Sequence, residues 1–221
     1  TPQELHYLQR VLRLRDGDAL ALGDGIGHLW QASLQQRQAV LLQPLDEPWQ
    51  QLPAPGVQLQ LAVVLPRRDS DVMLRMATEL GIDRLQPLLS ERSVVERWNG
   101  SRHEQIVRDA VEQCERLWAP QLGESLALAP WLTSVSGLRL WATTRQPGLP
   151  HLAALLPAQR PAMVTVAVGP EGGWTPAEED LATSAGWQPV QLGPTILRSS
   201  TAAVTASSLL CSWRAGLPCE G

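Results

Sequence analysis

The stretch from Met163 to Val168 constrains the fold of this chain more than any other feature of the sequence. It reads Met-Val-Thr-Val-Ala-Val, a continuous uncharged run that is rich in β-branched side chains. Such a run is typical of a strand that helices cover on both faces, and strands of this kind belong to parallel sheets. We therefore predict an α/β fold built on a mainly parallel, buried sheet.

The pattern after residue 56 agrees with this fold, because predicted strands alternate with predicted helices. The strands are predicted at 57–65, 84–89, 138–143, 162–168 and 187–192. The helices are predicted at 69–80, 101–118, 176–185 and 201–213. Gly81 is predicted to end the first of these helices in the left-handed conformation that glycine adopts at low cost.

The first 55 residues have a different organisation. Short strands are predicted at 18–22, 27–34 and 39–42, and together they indicate a small antiparallel barrel. One short helix, at 4–14, is expected to pack on these strands. The proline-rich stretch 44–56 is interpreted as a stiff, extended connection. We therefore expect a small domain with its linker at 1–55 and a larger domain at 56–221.

Composition excludes several classes of mechanism. The chain carries a net charge of -4, which gives no sign of a nucleic-acid partner, and its 18 basic residues are all arginine. A P-loop and a Schiff-base enzyme both need a lysine, so neither is expected. Arginine remains well suited to phosphate and base-edge contacts.

Location and metal content are predicted from the spacing of particular residue types. The three cysteines, Cys114, Cys211 and Cys219, form no disulfide or metal-binding pattern, so the cytosol is the expected compartment. No apolar run approaches the roughly 18 residues that a membrane helix needs. The four histidines lack metal-ligand spacing, and no metal site is predicted.

Two glycine-bearing turns form the candidate site. Gly169-Pro-Glu-Gly-Gly follows one predicted strand, and Leu192-Gly193-Pro194 ends another. Ligands in α/β proteins tend to bind beyond the carboxyl ends of strands, and glycine lets backbone approach a ligand closely. An ordinary tight turn remains an alternative for the first of these segments. Neither segment has the dinucleotide-binding pattern.

Two helix starts follow these turns. Thr175 and Glu178 have the spacing of a capping box, so Glu178 is interpreted as a cap rather than a catalytic carboxylate. Arg198 precedes the last helix, for which Ser199 or Ser200 is the predicted N-cap. A cation beside a helix N-terminus is unfavourable. The position of Arg198 therefore indicates an electron-rich partner. Alternatively, Arg198 is a surface residue that covers the cap.

The last helix carries mostly small and apolar residues on one predicted face. Its members are Ala202, Ala206, Leu209, Leu210 and Trp213. Close packing is expected there, either within the chain or across a dimer.

Several short segments along the chain carry a family resemblance. In order they are His6 to Leu14, Gly17-Asp18, Asp24-Gly25, Glu79 to Gly81, Pro87, Ser90 to Ser93, Glu112-Gln113, Arg116, Pro120, Gly169 to Gly173, Glu178, Leu192-Gly193, Ile196 to Arg198 and Thr201-Ala202. Together they resemble the RsmE-type 16S ribosomal RNA (uridine-N3) methyltransferases of the SPOUT superfamily, over nearly the whole chain.

The resemblance implies a fold and partners. It implies an N-terminal PUA-like barrel that helps bind RNA, and a C-terminal domain whose chain end forms a trefoil knot that holds S-adenosylmethionine. It also implies a homodimer that acts on 16S ribosomal RNA of the small subunit. The chain departs from the family pattern in three ways: the barrel is expected to lack an N-terminal strand, Met76 stands where many members have lysine, and Ser200 stands where many have glutamate.

The resemblance also implies roles for individual residues. Arg198 would stabilise the uracil carbonyls, and Glu171 would either order its loop or take a proton. The expected cofactor-binding residues are Gly169, Gly172, Leu192, Gly193 and Leu197. Candidates for phosphate contact with RNA are Arg10, Arg13, Arg15, Arg67, Arg68 and Arg92, and for each of them a solvated surface position is an equal alternative.

Two other functions remain open. Met76 and Ser200 motivate the hypothesis of a non-catalytic RNA-binding or ribosome-assembly protein with a degenerate SPOUT fold. A SPOUT methyltransferase with another RNA target is the second alternative.

Overall fold

The computed structural model describes residues 8, 10, 13–94, 100–156 and 161–217. These residues form two units. The first contains the described residues up to Ala54 together with Arg116–Trp118. The second contains Pro55–Glu115 and the described residues from Ala119 onward.

The first unit contains an antiparallel sheet. Its strands are β1 (Ala19–Gly23), β2 (His28–Gln35), β3 (Gln38–Leu41) and β4 (Gln50–Gln51). Strand β2 pairs with the other three, and every pairing is antiparallel. The buried side chains Trp30, Ala32 and Leu34 alternate along β2, so one face of this strand is covered.

The predicted strands of this unit agree with the observed ones to within one residue, but two other predictions fare differently. The stretch 44–56 is more than a connection, because it contributes β4, which pairs with His28 and Leu29 of β2. Because this stretch is rich in proline, its sequence did not predict a strand that is only two residues long. The predicted helix at 4–14 falls largely outside the described residues.

Three residues from much later in the chain complete the first unit. The N–H of Gly27 donates to the carbonyl of Leu117 at 2.9 Å, and the indole N–H of Trp118 donates to the carbonyl of Leu52 at 3.1 Å. The prediction that a helix continues to residue 118 is therefore wrong. That helix ends at Gln113, and Glu115 has a φ of 55°.

The second unit is built on a parallel sheet. Its strands are β5 (Gln58–Val64), β6 (Arg84–Leu89), β7 (Gln121–Leu122), β8 (Leu126–Ala127), β9 (Leu138–Ala142), β10 (Met163–Val168) and β11 (Gln188–Val190). The order is β11-β9-β10-β5-β6-β7, with β8 also paired to β6, and all pairings are parallel. The predicted parallel sheet is confirmed, and β10 lies inside it between β9 and β5.

Helices connect these strands. They are α1 (Ser70–Leu80), α2 (Gly100–Gln113), α3 (Leu128–Ser134), α4 (Leu152–Leu155), α5 (Pro176–Ser184) and α6 (Ser199–Ala215). Gly81 ends α1 with a φ of 114°, as predicted. The short elements β7, β8, α3 and α4 were not predicted. In the described part of the chain, no helix is both long and apolar enough to cross a membrane.

Helices pack on both faces of the sheet. On one face, Val63 and Val166 contribute to a buried cluster that includes residues of α1 and α6. On the other, Ala62 and Ala167 contribute to a cluster that contains α3, α5 and several tryptophans. Neighbouring residues of one strand thus enter opposite clusters, as the pleat requires. This arrangement explains the continuous apolar character of β5 and β10.

The buried side of α6 differs from the predicted face. Its buried residues are Ser199, Ala203, Ala206, Ser207 and Leu210. Of the predicted face, Ala206 and Leu210 are buried, whereas Ala202, Leu209 and Trp213 are only partly buried. The helix also begins two residues earlier than predicted and ends two residues later. A helix with apolar residues on several sides does not reveal its buried side by pattern alone.

The end of α6 is held against the start of the sheet by Arg214. Its Nη1 donates to an oxygen of Asp83 and to the carbonyl of Val57 at 3.1 Å, and its Nη2 donates to the carbonyl of Gly81 at 2.6 Å. The same Asp83 oxygen accepts the N–H of Leu59 at 2.8 Å. One guanidinium therefore joins α6 to β5 and to the end of α1.

Replacing Arg214 is expected to destabilise the protein. Arg214→Met keeps most of the apolar stem but leaves the largely buried Asp83 carboxylate without its cation, which should lower the free energy of unfolding by about 2–3 kcal/mol. Urea denaturation measures this quantity. Arg75→Met is the matched control, because Arg75 is 57% exposed and lies as far as 3.7 Å from its ion-pair partner Glu79. Equal losses in the two variants would contradict the assigned role of Arg214.

Candidate active site

The carboxyl ends of the parallel strands lie at one edge of the sheet, and the two glycine-bearing segments lie there together. We call Gly169–Trp174, after β10, the glycine loop and Leu192–Arg198, after β11, the second turn. The hydroxyl of Ser199, the first residue of α6, donates to the carbonyl of Gly169 at 2.7 Å. This hydrogen bond joins the start of the glycine loop directly to the end of the second turn.

Contacts from neighbouring strands hold the glycine loop in place. The N–H of Arg67, which follows β5, donates to Oε1 of Glu171 at 2.8 Å. From beyond β6, Nη1 of Arg92 donates to the carbonyls of Gly172 at 2.7 Å and Trp174 at 3.2 Å. The indole N–H of Trp174 donates to the carbonyl of Ala142 on β9 at 3.0 Å. The loop backbone is thereby preorganised by three other strands.

Close packing explains why residue 169 is glycine. A Cβ added there would lie 2.8 Å from Cε2 of Trp174, closer than real Cβ atoms approach other atoms. Trp174 cannot easily move away, because it stacks on Trp141 with ring centroids 4.0 Å apart. The glycine at this position therefore serves the packing of Trp174.

Gly169→Ala is expected to destabilise the second unit. The added methyl group must displace a packed tryptophan, which should cost about 2 kcal/mol and lower the Tm by about 5 °C. Gly193→Ala is the matched control, because it adds the same atom where space is open. Thermal unfolding followed by circular dichroism compares the two variants. A Tm for Gly169→Ala equal to that of Gly193→Ala would show that Trp174 does not restrict this position.

The other glycines of the two segments have different surroundings. A Cβ on Gly172 would lie 3.2 Å from Cδ of Arg92, whereas a Cβ on Gly193 would meet no heavy atom within 4 Å. No unusual φ requires glycine at position 193. Leu192 and Leu197, on either side of Gly193 in the second turn, are half-buried. The second turn therefore borders open space at Gly193.

Arg198 occupies the N-cap position of α6 and is exposed. Among the described residues its guanidinium has no hydrogen-bond partner, and its side chain does not cap the helix. The prediction that Ser199 or Ser200 is the N-cap is wrong, because Ser199 is already helical and its hydroxyl is bonded to Gly169. Within the described part of the chain, an arginine without a side-chain partner thus lies at the junction between the second turn and α6.

The predicted capping box at the start of α5 is confirmed. The N–H of Glu178 donates to Oγ1 of Thr175 at 3.3 Å, and the N–H of Thr175 donates to Oε2 of Glu178 at 2.8 Å. The other carboxylate oxygen of Glu178 accepts the N–H of Glu91 at 2.8 Å. Glu178 is only 8% exposed, so its carboxylate is used for structure.

Sequence reasoning missed a polar network after β9. Oγ1 of Thr143 donates to Oε1 of Glu179 at 2.7 Å, and Nε2 of Gln146 donates to Oε2 of the same carboxylate at 3.2 Å. Because β9 lies between β10 and β11, the segment that it leads into lies between the two glycine-bearing segments. The run of polar residues at the carboxyl end of this strand could have predicted the network.

The predicted RNA-binding arginines have different environments. Arg67 and Arg68 are exposed just after β5, at the same edge of the sheet as the glycine loop. Arg92 donates to carbonyls of that loop and so has a structural role. In the first unit, Arg10, Arg13 and Arg15 are exposed. Over the described ranges, no three metal-ligating side chains come together.

Comparison with known proteins identifies the family. Residues 53–211 match the RNA methyltransferase domain family, and residues 1–45 match the RNA methyltransferase PUA domain family. A Synechocystis protein named ribosomal RNA small subunit methyltransferase E is 40% identical over 93% of this chain and 70% of its own length. This chain belongs to the methyltransferase E family. A Rickettsia conorii protein of the same name is 31% identical over 91% of this chain and 84% of its own length.

A solved structure supports the same assignment. Ribosomal RNA small subunit methyltransferase E from Neisseria gonorrhoeae, crystallised with S-adenosylmethionine, superimposes with a TM-score of 0.82. It is 29% identical and covers 95% of this chain and 89% of its own. The predicted SPOUT-type α/β fold with a PUA-like N-terminal domain is confirmed. The trefoil knot and the domain limits at 55 and 56 stay predictions.

Proposed function

We propose that this methyltransferase E family member transfers a methyl group from S-adenosylmethionine to N3 of a uridine in 16S ribosomal RNA. The hydrogen bond between Ser199 and Gly169 carries the proposal, because it brings two glycine-bearing strand ends to one place. Bound S-adenosylmethionine in the Neisseria gonorrhoeae family member supports the choice of methyl donor.

The open space beside the second turn is suited to a bound adenosyl group. A Cβ added to Gly193 would meet no heavy atom within 4 Å, and the half-buried Leu192 and Leu197 offer apolar surface beside it. We assign Leu192, Gly193 and Leu197 to the cofactor pocket, with Gly169 and Gly172 contributing backbone groups from the glycine loop. When bound, S-adenosylmethionine supplies a methyl group already activated by its sulfonium.

The protein then has two tasks, positioning the uracil and favouring loss of its N3 proton to water. We assign the second task to Arg198, whose exposed guanidinium has no partner among the described residues and would stabilise the uracil carbonyl oxygens as negative charge develops. Glu171 accepts the N–H of Arg67, which supports the loop-ordering role over the role of proton acceptor. The target base must be accessible or extruded from RNA structure.

RNA contacts are assigned to exposed arginines. We propose that Arg10, Arg13 and Arg15 in the PUA-like domain, and Arg67 and Arg68 beside the site, contact phosphates. Arg92 is assigned to support of the glycine loop, because three carbonyls of that loop lie near its Nη1. The domain of residues 1–55 would bind RNA, and the domain of residues 56–221 would carry out methyl transfer.

We also propose that the chain forms a homodimer. The partly buried Ala202, Val204, Leu209 and Trp213 of α6 leave apolar surface that a second copy would cover. Light scattering after gel filtration measures the oligomeric state, and a monomer at micromolar concentration would contradict this part of the proposal.

Two measurements test the function. Calorimetry is expected to detect S-adenosylmethionine binding to the folded protein, and a complete lack of binding would favour a non-catalytic assembly protein. Nucleoside analysis of small subunits incubated with enzyme and methyl donor should then reveal 3-methyluridine. Subunits that already carry the modification are the control and should gain no methyl groups. A different methylated nucleoside would assign the chain to another RNA target.

A further inference from the structure

The polar network after β9 carries a negative charge that the proposed methyl transfer does not use. We call it the Glu179 network, and its members are Thr143, Gln146 and Glu179. Oγ1 of Thr143 donates to Oε1 of Glu179 at 2.7 Å, and Nε2 of Gln146 donates to Oε2 at 3.2 Å. Both carboxylate oxygens act as acceptors, and about two of their four acceptor positions stay available for a ligand.

Hydrogen bonds place this network at the carboxyl end of β9. The N–H of Thr143 donates to the carbonyl of Val190, the last residue of β11, at 3.1 Å. The indole N–H of Trp174, the last residue of the glycine loop, donates to the carbonyl of Ala142 at 3.0 Å. The Glu179 network therefore lies beside the end of β11 on one side and beside the glycine loop on the other.

The segment that contains Thr143 and Gln146 is also bonded to the residue before the second turn. That residue is Gln191, whose Nε2 donates to the carbonyl of Leu149 at 2.6 Å and whose N–H donates to the carbonyl of Pro150 at 3.0 Å. Both ends of the segment are thus held against β11. The carboxylate of Glu179 is therefore bound to a segment of fixed position.

A ligand that contacts both glycine-bearing segments must pass the end of β9. In the sheet β9 lies between β11, which leads into the second turn, and β10, which leads into the glycine loop. Neighbouring strands are about 4.8 Å apart, so β11 and β10 are about 10 Å apart with β9 midway between them. A cofactor bound to both segments therefore passes next to the Glu179 network.

Among the residues that the structure describes, no cation pairs with the Glu179 carboxylate. The ion pairs of the described ranges use other carboxylates: Asp24, Asp71, Glu79 and Asp83. Arg145 belongs to the same segment as Gln146, but it is exposed and forms none of these pairs. Glu179 is half-buried, so its charge is screened less than that of a fully exposed side chain. The site therefore contains a negative charge without a cationic side chain bound to it.

We propose that Glu179 distinguishes the methyl donor from the reaction product by charge. This inference rests on the proposed function. S-adenosylmethionine carries a sulfonium that S-adenosylhomocysteine lacks, so the donor has one more positive charge than the product. A carboxylate beside the cofactor attracts the donor more strongly and favours release of the product after each transfer. Glu179 determines this specificity, and Thr143 and Gln146 position it.

Three ligands of nearly the same shape separate charge from fit. S-adenosylmethionine and sinefungin, in which an amine-bearing carbon replaces the sulfonium, are positively charged at this point, whereas S-adenosylhomocysteine is neutral there. Glu179→Gln keeps the size of the side chain and removes its charge. Its affinity for the two charged ligands should fall about tenfold, and its affinity for S-adenosylhomocysteine should fall less than about threefold. Calorimetry measures all three dissociation constants.

Two further variants provide controls. Asp180→Asn removes an exposed carboxylate at the next position of α5 and should change each affinity by less than about twofold. Thr143→Val removes a hydrogen bond of the network and keeps the charge of Glu179. It should therefore lower the three affinities by similar factors, and the preference for charged ligands should persist.

The ratio of the affinities for donor and product decides the result. An equal loss for all three ligands in Glu179→Gln, an unchanged ratio in this variant, or an equal change of the ratio in Asp180→Asn would overturn this inference while leaving the proposed function in place. If the unaltered protein bound none of the three ligands, the proposed function and the inference would both be wrong.

Discussion

Gly193→Leu is expected to weaken S-adenosylmethionine binding by about a hundredfold or more while leaving the fold intact. A Cβ added at this position meets no heavy atom within 4 Å, and no unusual φ demands glycine, so the variant is expected to fold. The leucine would instead occupy the space assigned to the adenosyl group, and a ligand cannot share volume with a packed side chain. Calorimetry measures the affinity, and thermal unfolding verifies the fold.

The control for this variant is Gly100→Leu. Gly100 begins α2, also has no atom within 4 Å of an added Cβ, and lies outside the glycine loop and the second turn. It should retain the affinity of the unaltered protein to within about twofold, since no assigned cofactor contact changes. Normal binding by Gly193→Leu would place the methyl donor away from the second turn and would remove Gly193 from the site.

Arg198→Ala is expected to lower the rate of methyl transfer by about a hundredfold to a thousandfold. Removing one donor that stabilises developing negative charge has effects of this size in other enzymes. The affinity for S-adenosylmethionine should change little, because the loss concerns the uracil and not the cofactor. Single-turnover methyl incorporation into small subunits measures the rate, and calorimetry measures the cofactor affinity separately.

Two further variants sharpen the interpretation of this result. Arg198→Lys keeps the charge but loses the planar donor pair, so it should recover only part of the rate. Arg75→Ala removes an exposed arginine of α1 and should leave the rate unchanged. A normal rate for Arg198→Ala would remove Arg198 from the mechanism. A loss of cofactor affinity would indicate that Arg198 contacts the methyl donor and not the uracil.

The two experiments separate binding from chemistry. Gly193→Leu should abolish activity because the cofactor no longer binds, whereas Arg198→Ala should bind cofactor and fail to transfer its methyl group. If both variants lost binding and activity together, the two positions would share one role, and the assignment of the second turn would need revision.

Features set by local pattern were predictable from the sequence. The continuous apolar run of β10 identified a strand covered on both faces, because only such a strand can bury side chains that point in both directions. The capping box of Thr175 and Glu178 was equally predictable, since its hydrogen bonds join residues three positions apart. The left-handed Gly81 at the end of α1 belongs to the same class. In each case the interacting groups are close along the chain.

Features that depend on distant partners were not predictable. No pattern indicated that residues 116–118 leave the helix and complete the first unit through Gly27 and Leu52. Nor did a pattern distinguish Gly169 from Gly193, two of the three glycines that were predicted to bind the cofactor. Gly169 is required by the packing of Trp174, whereas Gly193 borders open space.

By itself, the sequence determined the parallel sheet, the positions of the two glycine-bearing turns and the helix that follows each of them. Only the tertiary structure decided that Ser199 bonds to Gly169, that Arg92 holds the glycine loop and that Arg198 remains without a partner among the described residues. The physical reason is that hydrogen bonds between distant residues depend on which loops the sheet brings together. Strand order sets that proximity, and the residues of a single turn do not reveal the strand order.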